Sequence, residues 1–243
     1  MDGKWLFTGG EDGTVRIWDP RASTTACQRV FDNNKKETTK EGSTSWNEQR
    51  KASINSVVLH PNQGELVAGD QGGRVRVYDL GGAGNSAALT VACPEPEVAV
   101  RSVAVSNDGS KVFFATDSGT IHHWQPSSPE TLLGQTPVLR PPVKAHDAYI
   151  LKIIVSPDGK LLATASADHT AKIFRIADMT KLKALAKHQR WVWDVQFSAD
   201  SSYLVTASSD TSCRLWDVSS GDTVRNFLGH HKAIVAVALN DAK

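Results

Sequence analysis

A gapless internal repeat constrains the fold of this chain more than any other feature of its sequence. Four segments of 26 residues align without an insertion: Ile54–Asp79, Val100–Gln125, Ile150–Arg175 and Val192–Asp217. Each segment has three short apolar runs, separated by turns rich in Asp, Asn, Ser and Gly, and each ends in an aromatic residue followed by a polar or charged one. Such runs predict strands, and these turn residues favour tight reversals between them. The sequence therefore predicts an all-β array of similar units.

Two incomplete units flank these four. The segment Trp5–Asp19 matches the last 15 residues of a unit, whereas the C-terminal end supplies only a first strand. Because each end holds what the other lacks, we expect the strand near Ile234–Leu239 to pair with the sheet that contains Trp18. The predicted organisation is one domain over residues 1–243 with a polar loop between units at 32–53. Its five units are 1–31 with 230–240, 54–92, 100–140, 146–187 and 188–228.

The units resemble WD repeats, each of which forms one four-stranded blade of a β-propeller. The resemblance rests on the unit length, the SPDG-type turns, the terminal aromatics and a His four residues before a predicted first strand, as at His146, His188 and His230. It implies a WD-repeat β-propeller with five four-stranded antiparallel blades. The C-terminal strand would complete the N-terminal blade.

The resemblance also implies a structural role for the recurring polar residues. In WD repeats a His, a Ser or Thr, an Asp and a Trp form a buried hydrogen-bonded tetrad. The implied sets are His188, Ser208, Asp210 and Trp216; His146, Ser166 and Asp168, with Phe174 in place of Trp; and His230, Asp12 and Trp18 across the two termini. A catalytic triad would be expected once rather than in several blades, so the structural interpretation is favoured.

Two units depart from this pattern. The unit of Ile54 has Gly72 at the tetrad Asp position and Arg50 at the His position, and the unit of Val100 has Ser118 and Pro96 there. We expect these two blades to be held by packing alone.

Other chemistry is disfavoured. The 27 basic and 26 acidic residues leave a net charge of +1, too little to attract nucleic acid. His122 and His123 would point to opposite faces of a strand and cannot share a metal. The glycines of Gly81–Gly84 precede no helix, so a turn is favoured over a phosphate loop. We expect no catalytic residue, cofactor, metal, small-molecule substrate or direct membrane insertion. Three dispersed cysteines and the lack of a signal-like N-terminus predict a cytoplasmic protein.

Protein partners are the remaining expectation. In WD repeats, contact positions lie just before and early in the first strand and in the turn before the tetrad Asp. Here those positions hold Ser53, Asn55, Arg101, Tyr149, Trp191, Trp193, Glu11, Asp117 and Ser209. Trp191 and Trp193 flank Val192, so strand alternation places both on one side. The alternative for either Trp is packing between blades.

Longer sequence segments indicate a particular family among the WD-repeat proteins. TGGEDGTVRIWD, LHPNQGELVAGDQGG, PEPEV and RWVWDVQFS resemble the G-protein-β-like subunits of the TOR kinase complexes. The resemblance implies a non-catalytic subunit that binds the TOR kinase catalytic domain and other complex subunits. It would support complex assembly and signalling in growth control and actin organisation. That family has seven blades, so the sequence is expected to lack two N-terminal blades and the first strand of a third. The alternative is a generic WD-repeat scaffold of another complex, such as a ubiquitin ligase or a trafficking assembly.

Overall fold

The computed structural model describes residues 5–22, 27–32 and 52–240, and these form five antiparallel sheets with no helix. Blade 1 contains β1 (Leu6–Gly9), β2 (Thr14–Trp18) and β3 (Arg29–Asp32). Blade 2 contains β4 (Ile54–Leu59), β5 (Glu65–Asp70), β6 (Arg74–Asp79) and β7 (Leu89–Ala92). Blade 3 contains β8 (Val100–Val105), β9 (Val112–Thr116), β10 (Thr120–Trp124) and β11 (Val143–Lys144). Blade 4 contains β12 (Ile150–Val155), β13 (Leu161–Ser166), β14 (Ala171–Arg175) and β15 (Lys181–Leu185). Blade 5 contains β16 (Val192–Phe197), β17 (Tyr203–Ser208), β18 (Cys213–Asp217) and β19 (Thr223–Phe227).

Each 26-residue repeat therefore folds into the first three strands of a blade, as the alternating runs predict. In blades 3 and 4, a glycine holds the left-handed position of the turn between the first and second strands. Gly109 and Gly159 have φ values of +72° and +73°, a left-handed conformation that glycine adopts without strain. A Cβ at Gly109 would also lie 2.3 Å from the carbonyl oxygen of Pro129, so a side chain is excluded there for a second reason.

Apolar clusters lie between adjacent blades and hold them side by side. Val75 and Val91 of blade 2 pack against Val100 and Trp124 of blade 3, and all four are at most 8% exposed. Comparable clusters join blades 1 and 2, blades 3 and 4, and blades 4 and 5. The first strands β4, β8, β12 and β16 are neighbours in turn. The arrangement is that of a WD-repeat β-propeller with five blades.

The C-terminal segment, residues 230–240, contains no assigned strand and docks on blade 5. Ile234 N donates to Ser208 O (3.0 Å), and Val237 N donates to Asp194 Oδ2 (2.9 Å). The first of these contacts repeats the bond from Ile54 N to Gly10 O by which blade 2 follows blade 1. The segment thus occupies the first-strand position of a blade following blade 5.

Ring closure by this segment remains a prediction. The described residues of blade 1 form a three-stranded sheet, in the order β1-β2-β3, with no strand from the C-terminal segment. Residues 33–51, most of the predicted loop at 32–53, lie outside the described residues, as does Arg50.

The connection between β10 and β11, residues 125–142, crosses to blade 2. Leu132, which is 1% exposed, inserts into the cluster between blades 2 and 3. Glu65 of blade 2 is 4% exposed and accepts hydrogen bonds from the Thr131 hydroxyl and from Leu132 N (2.8 Å). Asn62 Nδ2 donates to Glu130 O (2.8 Å). This connection is therefore a clasp between two blades.

The described residues include no helix long and apolar enough to cross a membrane.

Candidate functional site: blade networks and the upper face

The polar network of blade 5 is centred on a threonine. His188 Nδ1 lies 2.8 Å from Asp210 Oδ2, and His188 Nε2 lies 2.7 Å from Thr206 Oγ1. Trp216 Nε1 donates to the same hydroxyl at 2.9 Å. Thr206 can thus accept from Trp216 and donate to His188, whose Nδ1–H then donates to Asp210. The chain of bonds runs in one direction and satisfies every buried donor in it.

Ser208, which the sequence placed in this tetrad, lies two residues further along β17. Its hydroxyl accepts from Asp210 N (3.1 Å) and shapes the turn, but it does not contact His188. Thr206 takes the tetrad position because Trp216 pairs with Leu204, and its indole reaches diagonally to the next residue on that face of the sheet. The prediction for Ser208 is therefore corrected to Thr206.

Blade 4 repeats the geometry. His146 Nδ1 lies 2.7 Å from Asp168 Oδ2, and His146 Nε2 lies 2.7 Å from Thr164 Oγ1. The Ser166 hydroxyl accepts from Asp168 N (3.1 Å) and the His146 ring contacts Thr164, so Thr164 replaces the predicted Ser166. Phe174 supplies no indole N–H, and this network is one donor shorter, as the sequence implied.

The third predicted set is not brought together. Trp18 Nε1 donates to Thr8 Oγ1 (2.8 Å), and Asp12 pairs with Arg16 (3.1 Å). His230 is exposed and lines a cavity beside blade 5 with Cys213 and Phe227. Within the described residues, no hydrogen bond joins His230 to Asp12 or Trp18.

Burial and hydrogen bonding set the protonation of these networks. Burial lowers the pKa of His188 and His146 below the ordinary value of 6.5, although the neighbouring aspartates oppose the shift. Burial disfavours ionised Asp210, but bonds from Ser212 and His188 outweigh it and hold its pKa far below 3.8. Asp168 behaves likewise. The networks therefore contain neutral histidines and ionised aspartates.

Blades 2 and 3 have polar networks of their own, so the prediction that packing alone holds them is wrong. In blade 2, Asp70 Oδ2 pairs with Arg76 Nε at 3.0 Å, and the two side chains are 1% and 11% exposed. In blade 3, Glu95 Oε1 lies 3.0 Å from His122 Nε2. Neither network follows the WD tetrad, because its charged residues occupy other positions of the repeat unit.

The remaining candidates for other chemistry have structural partners. His122 stacks on Phe114 and His123 on Phe113, on opposite sides of β10. No cluster of three or more His, Cys, Asp and Glu that could hold a metal occurs in the described ranges. The loop carbonyls of Gly82 and Gly84 accept hydrogen bonds from the Arg29 guanidinium. The loop thus presents carbonyl oxygens, which are acceptors, whereas a phosphate-binding loop presents backbone N–H donors.

The candidate partner-binding residues meet at one end of the propeller, which we call the upper face. It is formed by the connections into the first strands and by the turns between second and third strands. In blades 2 to 5 the pairing register shifts at the second residue of the first strand, which marks a β-bulge there. Bulges redirect side chains out of the regular alternation. The bulged residues include Asn55, Arg101 and Trp193, three of the predicted contact residues.

The upper face divides into a polar and an aromatic part. In blade 2, Asn55 Nδ2 donates to Gln71 Oε1 (3.2 Å) and to Val100 O (2.9 Å), so its amide is committed to the structure. Glu11 of blade 1 is exposed, and its carbonyl accepts from Ser53 (3.3 Å). These blades present polar groups and no exposed ring at these positions.

Blades 3 to 5 present the aromatic part. Trp193 Nε1 donates to Ser209 Oγ (2.6 Å), which fixes this half-buried ring. The Trp191 ring lies 5.4 Å from it and remains 40% exposed. Tyr149 is 45% exposed and lies under the guanidinium of Arg101 at 5.8 Å. Trp193 therefore serves as a platform, and Trp191 and Tyr149 are the rings available for contact.

Family models of known proteins match the repeat and most of the chain. A family model for the WD domain, G-beta repeat, matches residues 179–217, and one for the N-terminal domain of nucleolar protein 10-like proteins matches residues 3–188. The second match covers most of the chain and places it among β-propeller domains of that kind. The protein is thus a WD-repeat β-propeller.

Relatives that match nearly the whole chain identify its family among the WD-repeat proteins. The chain is 44% identical to the target of rapamycin complex subunit wat1 of Schizosaccharomyces pombe, over 99% of its own length and 69% of the relative's. It is 40% identical to the target of rapamycin complex subunit LST8 of Bos taurus, over 99% and 70%. It is 42% identical to the LST8 subunit of Saccharomyces cerevisiae, over 99% and 72%. The chain belongs to the LST8 family of target of rapamycin complex subunits.

Proposed function

We propose that this chain is a non-catalytic subunit of TOR kinase complexes. The observation that carries the proposal is its identity of 40–44% over nearly its whole length to relatives named as subunits of these complexes. In this role it binds the kinase catalytic domain and supports complex assembly and signalling in growth control and actin organisation. Its three cysteines are all unpaired, which is typical of the reducing cytoplasm, where we place it.

The aromatic part of the upper face is the proposed docking surface. Exposed aromatic residues beside rigid supports are frequent anchors of protein interfaces, and Trp191 on its Trp193 platform has this form. The tetrads lie within the blades and are proposed to hold the blades rather than to catalyse a reaction. The same interpretation accounts for their occurrence in more than one blade.

Affinity capture tests this proposal. The tagged chain is expected to recover a TOR-type kinase from cell extract, and Trp191→Ala is expected to reduce recovery by about tenfold or more. Tyr203→Ala is a matched control, because Tyr203 is 38% exposed and begins β17 at the opposite end of the blade. Capture of a ubiquitin ligase or trafficking assembly without a TOR-type kinase would contradict the proposal.

A further inference from the structure

An arginine on the aromatic part of the upper face has its charge already neutralised. Arg101 Nε donates to Asp117 Oδ1, and Arg101 Nη2 donates to Asp117 Oδ2 (3.2 Å). The side chains are 34% and 22% exposed. This two-point contact occupies one edge of the guanidinium, and the bond to Asp117 raises the pKa of Arg101. The pair therefore contributes no net charge to the surface.

The arginine of this pair also contacts the Tyr149 ring. The guanidinium carbon of Arg101 lies 5.8 Å from the centre of the Tyr149 ring, within the range of a cation–π contact. Arg101 comes from blade 3 and Tyr149 from the start of blade 4. The arginine thus acts as a flat support between two blades, comparable to the support that Trp193 gives Trp191 in blade 5.

The exposed charged residues in the connections into the first strands of blades 3 to 5 are also balanced. Glu97 and Asp147 are acidic, and Lys187 and Arg190 are basic. Tyr149 and Trp191 lie in two of the same connections. A surface of exposed rings with paired charges complements apolar groups, and it offers an acidic segment little attraction.

We infer that the aromatic part of the upper face binds an uncharged, apolar segment of its partner, and that Asp117 sets this specificity by cancelling the charge of Arg101. The inference rests on the proposed function, since the TOR kinase catalytic domain is the probe. Asp117 is a positioning residue in this scheme. An acidic segment would instead have to displace Asp117 from the guanidinium.

The direction in which one substitution changes the dissociation constant distinguishes an apolar partner from an acidic one. Asp117→Asn leaves the Arg101 charge uncompensated, so an apolar partner must desolvate it, and the dissociation constant for the purified kinase domain is expected to rise about threefold or more. An acidic partner would bind Asp117→Asn more tightly, and that result would overturn the inference. Asp178→Asn is the matched control, because Asp178 pairs with Arg175 at the opposite end of blade 4.

A double variant shows whether charge is the cause. Arg101→Met with Asp117→Asn removes both charges and keeps an extended side chain over Tyr149. We expect the dissociation constant to fall from the Asp117→Asn value back towards that of the unmodified chain. If the double variant binds as weakly as Asp117→Asn alone, or more weakly, charge cancellation is not the role of Asp117. Thermal unfolding midpoints equal to that of the unmodified chain establish that all three variants fold.

Salt dependence completes the test. Binding of the unmodified chain is expected to change less than about threefold between about 0.1 M and about 1 M sodium chloride, a range over which the screening length falls from about 10 Å to about 3 Å. Binding that weakens tenfold or more as the salt concentration rises would overturn the inference but leave the proposed function intact. If the unmodified chain does not bind the kinase domain at either salt concentration, the proposed function itself fails, and the inference fails with it.

Discussion

At the scale of single residues, the blades depend on which hydroxyl meets which histidine. Thr206 joins His188 to Trp216, while Ser208 two residues later bonds Asp210 N in the turn and Arg190 O in the connection before β16. Both residues are present in the sequence at plausible spacing. Their roles differ because the indole of the third strand reaches only one of them. One hydroxyl thus carries two hydrogen bonds of the network.

Thr206→Val tests this assignment. Valine keeps the shape of threonine but leaves the Trp216 N–H and the His188 ring without their shared partner, so the free energy of unfolding is expected to fall by about 1–3 kcal/mol. Urea unfolding measures it. Thr90→Val in β7 is the control, because Thr90 is exposed and its replacement should cost little. Equal losses in the two variants would contradict a buried network at Thr206.

The tetrad histidines should make stability depend on pH. The pKa values of His146 and His188 lie below 6.5 in the folded state, so the unfolded chain binds more protons as the pH falls through its ordinary value. Their contribution is therefore complete above that value and declines below it. The lowered pKa values of Asp168 and Asp210 act in the same direction below 3.8.

We accordingly expect the urea midpoint to decrease from about pH 8 to about pH 5, and to decrease further below about pH 4. Replacing the exposed His231 by Gln should leave this profile unchanged. A midpoint that is constant, or that increases, on acidification would show that the tetrad histidines do not couple to folding in this way.

At the scale of elements, a connection rather than a strand joins blades 2 and 3 at their lower end. Residues 125–142 leave β10, place Leu132 in the interblade cluster and bond Glu65 before returning to β11. Gln135 organises the loop from within, since its side chain bonds Ser128 N (3.2 Å) and Ser128 O (3.0 Å). The segment reads as an extended, Pro- and Ser-rich connection in the sequence. Nothing local indicates that it anchors to another blade.

Glu65→Gln should loosen this clasp. The amide of glutamine offers one acceptor where the carboxylate offers two, so either Thr131 or Leu132 loses its partner, and a loss of about 1–3 kcal/mol is expected. Limited proteolysis should then cut within 125–142 faster than in the unmodified chain. Glu130→Gln is the matched control, because Glu130 is exposed and contributes its backbone carbonyl to the clasp. Unchanged cleavage in Glu65→Gln would show that this carboxylate does not hold the connection.

At the scale of the whole molecule, closure of the ring depends on the C-terminal segment, which contacts blade 5 on one side. Its contacts with Ser208 and Asp194 already match those of a first strand on the preceding blade. We propose that the segment also pairs with β1 and so completes blade 1. On this proposal the Leu6 and Trp18 side chains would be covered by the residues of blade 5.

Hydrogen exchange measures closure directly. In this chain the amides of Leu6–Gly9 are expected to exchange slowly, and deletion of residues 230–243 should accelerate them because an unpaired edge strand loses protection. The amides of β13 lie in the middle of blade 4 and should be unaffected by the deletion. Rapid exchange of Leu6–Gly9 in the undeleted chain would show an open ring.

The sequence by itself determined the repeated blade and the positions of the turns between its strands. Strand and turn signals are local, since alternation and residues such as Gly109 act within a few positions, and the gapless repeat shows them four times. The resemblance to WD repeats likewise placed His188 and Asp210, which the structure brings within 2.8 Å. Residue type and spacing suffice for features of this kind.

Only the tertiary structure decided which residues complete the networks and what the upper face presents. Thr206 replaced Ser208, Glu95 met His122, and Asp117 neutralised Arg101. Each of these contacts joins side chains from different strands or connections. Strand register, bulges and the packing of one blade on the next set the distances between them, and no periodicity along the chain specifies those distances.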